Sequence, residues 1–420
     1  MLIEFILVAV ILTDAFGLLL NVGQLSVAGS TYIASTFNYI SLFILIYIAV
    51  KTPKNSDTPL SIKTIYLLWL FINVFSLING LFLAKDYWDW KFIFLNSISF
   101  SLISLVFFIG NSQYLAKISF NFVLKILFPF GFFLIPLTLV TNEQLYSRLM
   151  ISVSMFMLFI PYLKFKWKLL IIIVTITSIL MAFSFRTNLI KISFSLIFLG
   201  IYYCRFLFKP FLVIKFLRIT FFVLPLILLS LGILEKFNFF SELQSNNKSG
   251  YTAIKNGQES DLFGDTRTFI YKEIFLSLSN SGHFVFGEGA AGKYKSQFFT
   301  DNDGWRGGSE VGILNILLYD GIVGVLIYFL LLFRVSFIAI YKSNNYLSKM
   351  LGLFIASRFL LSFIEEFTQY DINFYFFWIA IGLVSSTQFR AMSDQQLKTY
   401  FLFDGTKKSS RTPYLLQQED

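Results

Sequence analysis

Long apolar runs separated by short polar connections dominate the chain, which has 420 residues. A helix that crosses a lipid bilayer needs about 20 predominantly apolar residues. The pattern predicts spans at 2–20, 31–50, 64–84, 92–110, 122–140, 145–163, 169–185, 188–203, 219–234, 321–340, 347–366 and 372–388. We therefore expect an all-α integral membrane protein with about twelve transmembrane helices.

One connection is far longer than the others. Residues 235–320 lie between the ninth and tenth predicted spans, and they are rich in glycine and polar side chains. A structureless connection of this length is uncommon, so we expect a small folded cap. The predicted organisation is a membrane domain of nine spans over 1–234, the cap over 235–320, three further spans over 321–388 and a tail over 389–420.

The cap contains two patterned stretches. Apolar residues recur every four positions through 265–279, at Ile270, Ile274 and Leu278. This spacing predicts an amphipathic helix. The run 310–319 is apolar enough to lie at the outer surface of the membrane, and Asp320-Gly321 is expected to turn the chain into the tenth span.

Composition restricts the chemistry. Hydrophobic residues make up 56% of the chain and charged residues 14%, with a mean hydropathy of +0.71. A soluble domain carries about 25% charged residues, so a single water-soluble globule is excluded. One cysteine and one histidine exclude a disulfide framework, cysteine clusters and poly-histidine metal sites. No metal and no other cofactor is expected, and any catalysis has to use Arg, Lys, Asp, Glu, Tyr or backbone groups.

The net charge of +10 is explained by topology. With a cytoplasmic N-terminus, the inner connections hold fifteen basic residues and the short outer connections hold five. This bias is the positive-inside signature. It predicts cytoplasmic termini and an extracytoplasmic cap, and no nucleic-acid partner is needed to account for the charge.

Some basic residues lie on the side where topology does not favour them. Arg186 follows an apolar span and Lys191 lies inside the next one. Basic residues at membrane depth are costly and are usually functional, and a cation pair near the outer face suits a pyrophosphate headgroup. The alternative is interfacial snorkelling.

Arg267 lies in the first turn of the predicted cap helix, with Asp265 as a plausible N-cap. A helix N-terminus attracts anions, and an arginine there adds a bidentate donor for phosphate or carboxylate. The alternative is a surface arginine paired with Asp265 or Glu273.

Other local patterns favour structural interpretations. Residues 287–293 resemble a P-loop, but Tyr294 stands where a Ser or Thr hydroxyl is required, so a glycine-rich turn is favoured. Asp301 and Asp303 resemble the D-x-D pattern of nucleotide-sugar enzymes, although such pairs are common in loops. Arg358 lies seven residues before Glu365, on one helical face, where a structural ion pair is expected.

Three signatures stand in order along the chain. They are Ser184-Phe-Arg186-Thr at the end of a span, Arg267-Thr-Phe-Ile-Tyr271 followed by Phe286-Gly287-Glu-Gly289 in the cap, and Glu310 eleven residues before Gly321-Ile-Val-Gly324. Together with the many spans and the one large late loop, they resemble the Wzy-type polysaccharide polymerases and the related O-antigen ligases. Ligases have a histidine and a small polar residue where this chain has Glu310 and Val311, which favours the polymerase side.

The resemblance implies a GT-C-like fold and a glycosyltransferase in the bacterial cytoplasmic membrane. Such an enzyme joins undecaprenyl-diphosphate-linked oligosaccharide repeats at the outer face of that membrane, for O-antigen, capsule or exopolysaccharide. The growing glycan moves onto the non-reducing end of a second lipid-linked repeat. The resemblance also implies membrane lipid and a chain-length regulator as partners.

With this activity the candidate residues receive roles. Arg186 and Arg267 would stabilise the leaving diphosphate as catalytic cations without a metal, and Lys191 and Arg306 would bind substrate. Glu310 would be the catalytic base for the acceptor hydroxyl.

Asp265 would bind substrate and is the alternate for the base. Two other functions stay open at this point. A ligase would transfer the polymer to another acceptor, and a lipid-linked oligosaccharide flippase would hold its charges in a central cavity. A structural membrane subunit is the alternative without chemistry.

Overall fold

The structure is a computed structural model. It describes residues 1–21, 30–52, 57–94, 98–140, 146–147, 149–181, 186–207, 210–233, 252–255, 258–261, 268–296, 304–364 and 370–402. Most of these residues are helical, as the apolar pattern predicts.

The helices in the first half of the chain are α1 (Leu2–Asn21), α2 (Ser30–Lys51), α3 (Leu60–Leu83), α4 (Tyr87–Phe92), α5 (Ile98–Leu102), α6 (Val106–Asn111), α7 (Gln113–Phe122), α8 (Phe128–Val140), α9 (Val153–Phe156), α10 (Phe165–Met181), α11 (Arg186–Tyr203) and α12 (Pro210–Ile233). Short 3-10 segments, Ile103–Leu105 and Met157–Tyr162, follow α5 and α9, and a π segment, Val123–Leu127, joins α7 to α8.

The second half contains α13 (Thr268–Ser281), α14 (Gly312–Tyr341), α15 (Tyr346–Ser362), α16 (Ile372–Ser385), α17 (Thr387–Ala391) and α18 (Asp394–Leu402). Its four short strands are β1 (Thr252–Lys255), β2 (Gln258–Asp261), β3 (Lys293–Lys295) and β4 (Trp305–Gly307). They form two antiparallel hairpins, β1–β2 and β3–β4, and both lie within the cap segment.

Four of the described helices are long and apolar enough to cross a membrane: Leu60–Leu83, Gln113–Ile135, Pro210–Ile227 and Gly312–Tyr341. Shorter apolar helices include Leu2–Leu12, Thr36–Lys51 and Ile372–Ser385. The chain is thus a mostly helical protein with several membrane-crossing candidates, and the number twelve stays a prediction.

Two predicted spans are divided into short helices. The predicted span 92–110 is not one helix, because α4, α5 and α6 share it. Helix α4 starts before the predicted span, at Tyr87, where Asp86 accepts a hydrogen bond from the Asp89 N–H (2.8 Å) in a capping box. In 145–163 the last turns are a 3-10 helix containing Pro161. Hydropathy records how apolar a run is and not whether its helix is continuous.

The packed centre is formed by the last three long helices. Helix α14 packs against α3 and α15, α16 packs against α6, and α12 packs against α15. Nearly all side chains of α15 and α16 are buried. Helices further out expose large apolar side chains, such as Phe71 (67% exposed) and Phe133 (75% exposed), as expected of surfaces that face lipid.

The amphipathic helix predicted in the cap is present as α13, and its three periodic residues, Ile270, Ile274 and Leu278, are buried. The run 310–319 differs from expectation, because α14 already starts at Gly312 and its first turns are buried rather than lying on a surface. Cap residues cover them. The predicted boundary between 320 and 321 falls at Gly321, where the backbone of α14 is not helical.

Candidate functional site

Helix α14 is interrupted near its first third. Gly321 has φ 66° and ψ −168°, a conformation that is open to glycine and strained for other residues. A break leaves backbone groups of both flanking turns without helical partners. Such groups are costly at membrane depth, so the break needs partners from elsewhere in the chain. The turn predicted at Asp320-Gly321 is this break.

Residues 284–292 of the cap, here called the glycine loop, supply these partners. Four backbone hydrogen bonds cross between loop and break: Glu288 N–H to Leu318 O (2.8 Å), Gly289 N–H to Tyr319 O (3.1 Å), Ile322 N–H to Phe284 O (3.0 Å) and Val323 N–H to Val285 O (3.2 Å). The loop thus replaces the helical bonds on both sides of the break. The segment that resembles a P-loop is a glycine-rich turn.

The glycine loop also joins the break to α3. The Ala290 N–H donates to the Ser76 carbonyl (2.9 Å), and the Ser76 hydroxyl donates to the Tyr319 carbonyl (2.9 Å). A side chain at Gly80 would meet the backbone of Ala290. Three separate parts of the chain are therefore fixed at one point.

Close approach explains the glycines of the third signature. A Cβ at Gly321 would overlap the Val285 carbonyl, and a Cβ at Gly324 would overlap the side chain of Asp320. Gly287 has φ 73° and lies against the Tyr319 carbonyl in the same way. These glycines are required by packing at the break.

Glu310 lies in the turn that leads into α14. The amide side chain of Asn315 holds this turn: its Oδ1 accepts from the Ser309 N–H (2.5 Å) and its Nδ2 donates to the Ser309 carbonyl (2.7 Å). The Ser309 hydroxyl accepts from the Val311 N–H (3.1 Å). The backbone that carries Glu310 is therefore fixed by side chains on both sides of it.

The β3–β4 hairpin brings Arg306 to Glu310. Arg306 Nη2 donates to Glu310 Oε1 at 3.2 Å, and the two side chains are 25% and 50% exposed. Tyr294 stands opposite Arg306 across the hairpin and is fully buried. We call Tyr294, Arg306 and Glu310 the cap site. Its carboxylate reaches solvent, and its arginine is only partly exposed.

Electrostatics fix the protonation state of Tyr294. Burial raises the pKa of its hydroxyl, and the positive charge of Arg306 opposes this only in part. The carboxylates of Glu273, on α13, and Glu310 raise the pKa further. The phenol therefore stays neutral at physiological pH and adds no charge to the Arg306–Glu310 pair.

An ion pair anchors the hairpin to α4. The Lys293 ammonium contacts the Asp89 carboxylate and lies 3.7 Å from Asp86. Burial by itself raises the pKa of Asp89, but the hydrogen bond with Lys293 and the N–H groups of Lys85 and Asp86 bring it below its ordinary value. Asp89 is therefore charged at neutral pH and holds the β3–β4 hairpin against α4.

The structure brings together two of the six predicted site residues, Arg306 and Glu310. Lys191 is buried on α11 (9% exposed). Arg186 starts the same helix, and its side chain lies outside the described residues. Arg267 and Asp265 also lie outside them, as do residues 301–303.

Arg358 is buried, and its guanidinium donates to the side chain of Asn373; its predicted partner Glu365 lies outside the described residues. In the part of the chain that the structure describes, no group of three or more His, Cys, Asp and Glu side chains is placed to hold a metal ion.

Sequence reasoning missed Asn315 and Tyr294 as parts of the site. A single amide inside the apolar run 310–319 was the available signal for Asn315. Tyr294 gave no usable signal, because its partner Arg306 comes from another strand and each strand has three residues.

The arrangement can do two things chemically. A half-exposed carboxylate can accept a proton from an incoming hydroxyl, and the guanidinium beside it can bind an anionic group.

Comparison with models of known families, with curated proteins and with solved structures finds no match for this chain.

Proposed function

We propose that the chain is a polysaccharide polymerase of the bacterial cytoplasmic membrane, with both termini cytoplasmic and the cap outside. Its substrates are undecaprenyl-diphosphate-linked oligosaccharide repeats, and its reaction is glycosyl transfer from one lipid carrier onto the glycan of another. The proposal rests on the sequence resemblance together with the cap site.

The observation that carries it is the Arg306–Glu310 pair at the head of the broken helix α14. Glu310 is 50% exposed, so a sugar hydroxyl can reach it. A partly exposed ion pair adds only about 0–1 kcal/mol to stability, so stability alone is a weak reason for this pair, and its carboxylate is open to a substrate. The turn beneath it is fixed through Asn315, which suits a group that has to meet a substrate in one geometry.

In the proposed reaction, the acceptor hydroxyl attacks the anomeric carbon of the donor glycan. A new carbon–oxygen bond forms, the bond to the diphosphate breaks, and the hydroxyl proton goes to Glu310. Negative charge develops on the departing lipid diphosphate. Fixed cationic donors stabilise such charge well when they are already in place.

Arg306 is the described cation closest to this chemistry, since it already contacts Glu310. When it turns from Glu310 toward a diphosphate, the carboxylate is released to act as a base. Arg186, Lys191 and Arg267 remain proposed contributors to diphosphate binding.

The test uses the purified full-length protein with a synthetic undecaprenyl-diphosphate oligosaccharide. We expect a ladder of products that grow by one repeat and retain one lipid diphosphate. A matched substrate with the same glycan on a monophosphate should give no ladder, because its leaving group is poorer.

Other products would identify a different activity. Transfer only onto an added non-repeat acceptor would favour a ligase. Movement of intact substrate across a vesicle bilayer without any new glycosidic bond would favour a flippase. Either result would contradict the polymerase.

A further inference from the structure

Four cationic side chains lie in a row at the end of α14 that is remote from the cap site. They are Arg205, Lys349, Lys215 and Arg218, here called the cation row. Arg205 follows α11, Lys215 and Arg218 lie on α12, and Lys349 lies in the first turn of α15. Sequence topology predicts that this end is cytoplasmic.

Aromatic rings join each cation to the next. Tyr346 lies under both Arg205 (5.5 Å) and Lys349 (4.8 Å), Phe211 under Lys349 (5.9 Å) and Lys215 (4.3 Å), and Tyr341 under Lys215 (5.1 Å) and Arg218 (5.8 Å). Two cations that share one ring are about one Debye length apart or less, roughly 10 Å at 0.1 M salt. They therefore repel one another.

One described carboxylate, that of Asp394, acts electrostatically on Lys349, so the row's four positive charges are balanced only in part. None of its four cations forms an ion pair with a carboxylate within the described ranges. Arg218 is buried and donates to the Ser336 hydroxyl and the Phe333 carbonyl, both at 3.0 Å. Its hydrogen-bonding partners are neutral, so its positive charge stays uncompensated.

The start of α12 adds to the positive potential. Helix α12 begins at Pro210 and α15 begins at Tyr346, and both N-termini lie beside the row. The N-terminus of a helix carries a partial positive charge. At α15 the protein itself meets this charge, because the Tyr346 N–H donates to Asp394 Oδ1 (2.9 Å) and the Ser348 N–H donates to Asn345 Oδ1 (2.7 Å). Cations that are held together in this way favour a bound anion.

Apolar side chains next to the row indicate what else the ligand contains. Phe206, Leu207, Leu212 and Phe216 are 59–83% exposed, and the Arg205 guanidinium lies over the Phe206 ring at 4.7 Å. A free phosphate would leave these side chains uncovered. Acyl chains would cover them.

We infer that the cation row binds the headgroup phosphate of an anionic phospholipid, with the acyl chains against the apolar side chains of the start of α12 and the turn before it. Basic pockets between membrane helices bind such headgroups by the same chemistry. This site is independent of the proposed transferase activity, since it lies at the other end of α14.

The test is native mass spectrometry of the full-length protein in detergent, titrated with phosphatidylglycerol. We expect bound phosphatidylglycerol, with phosphatidylcholine much weaker. Each cation near a membrane surface contributes about 1 kcal/mol to such binding, or about fivefold in affinity. Lys215→Gln combined with Lys349→Gln should therefore weaken binding roughly 25-fold.

Two variants serve as controls. Lys215→Arg combined with Lys349→Arg keeps the charge and should keep binding, which separates loss of the site from loss of the fold. Lys91→Gln removes a cation that lies over the Trp88 ring at 4.7 Å outside the row, and it should leave binding unchanged.

Equal phosphatidylglycerol affinity in the wild type and the double glutamine variant would overturn the inference. Inorganic phosphate that displaces the lipid at comparable concentration would also overturn it, because the site would then take a free anion. Loss of lipid binding in the arginine variant would show that charge is not what the site recognises.

Discussion

The two ends of helix α14 handle positive charge in opposite ways. At the cap end, Arg306 pairs with Glu310 and Lys293 pairs with Asp89. At the other end, Arg205, Lys215 and Lys349 lie over aromatic rings and form no described ion pair. The helix between them has 30 residues, which is about 45 Å if straight.

The difference shows where an outside ligand is needed. A cation with its own carboxylate is neutralised within the protein, and a ligand reaches it only by exchanging with that partner. A cation over a ring is desolvated without being neutralised. The cap end is therefore suited to transient contact with a reacting anion, and the other end to a resident one.

The largest expected effect is the loss of turnover when Glu310, the proposed catalytic base, is replaced. Glu310→Gln keeps the size and a hydrogen bond to Arg306 but cannot accept a proton, so the turnover number should fall about 10²–10⁴-fold with little change in KM. Steady-state assays with the diphosphate-linked repeat measure this. Glu288→Gln, an acid of the glycine loop outside the pair, should keep wild-type turnover.

The break between the two ends gives the next effect. Gly321→Ala adds a strained φ and an overlap with the Val285 carbonyl, so the free energy of unfolding should fall by roughly 2–5 kcal/mol. Thermal denaturation in detergent measures this loss.

Gly282→Ala is the matched control, since Gly282 has φ 76° but open space around it. Its loss should be only about 1 kcal/mol, from backbone strain alone. Equal losses for the two variants would mean that the close packing of the glycine loop against the break contributes nothing.

The Lys293–Asp89 ion pair, which anchors the β3–β4 hairpin to α4, gives a smaller effect on stability that depends on pH. Asp89→Asn should lower the free energy of unfolding by roughly 1–3 kcal/mol at pH 7. The pKa of Asp89 is lower in the folded chain than when unfolded. Its stabilisation is therefore present above the ordinary carboxyl pKa and is lost as pH falls through the folded value.

The difference in free energy of unfolding between Asp89→Asn and the wild type should therefore close below about pH 4. Glu4→Gln removes an exposed pair with the N-terminal ammonium (2.9 Å) and should change stability by less than about 1 kcal/mol. A gap for Asp89→Asn that persists unchanged into acid would contradict the ion-pair explanation.

The smallest effect is expected in the cation row without lipid. Lys215→Gln loses a cation–ring contact worth about 0.5–1 kcal/mol but also relieves repulsion from Arg218 and Lys349. The free energy of unfolding in lipid-free detergent should change by less than about 1 kcal/mol. A loss as large as that of Asp89→Asn would remove the contrast between the two ends.

The sequence predicts local features well. The four-residue spacing of Ile270, Ile274 and Leu278 identifies the buried face of α13, and Asp320-Gly321 marks the break in α14. Both depend on neighbours along the chain. The apolar runs likewise predict the helical class and several membrane-crossing candidates.

Contacts between distant parts of the chain could not be predicted in the same way. The bond between Ser76 and Tyr319 joins residues 243 positions apart, and nothing local indicates that the glycine loop will dock there. The run 310–319 was expected at a surface, since its sequence does not show that cap residues will cover it. The cation row is likewise assembled from separate helices.

The most direct test of the central claim is an exchange of charges at the cap site. Arg306→Glu combined with Glu310→Arg keeps an ion pair in the same place but moves the carboxylate off the turn that Asn315 holds. The thermal midpoint should stay close to wild type, and product ladders from the diphosphate-linked repeat should disappear. Wild-type ladders from the exchanged protein would show that the pair is structural, and they would contradict the assignment of Glu310 as the base.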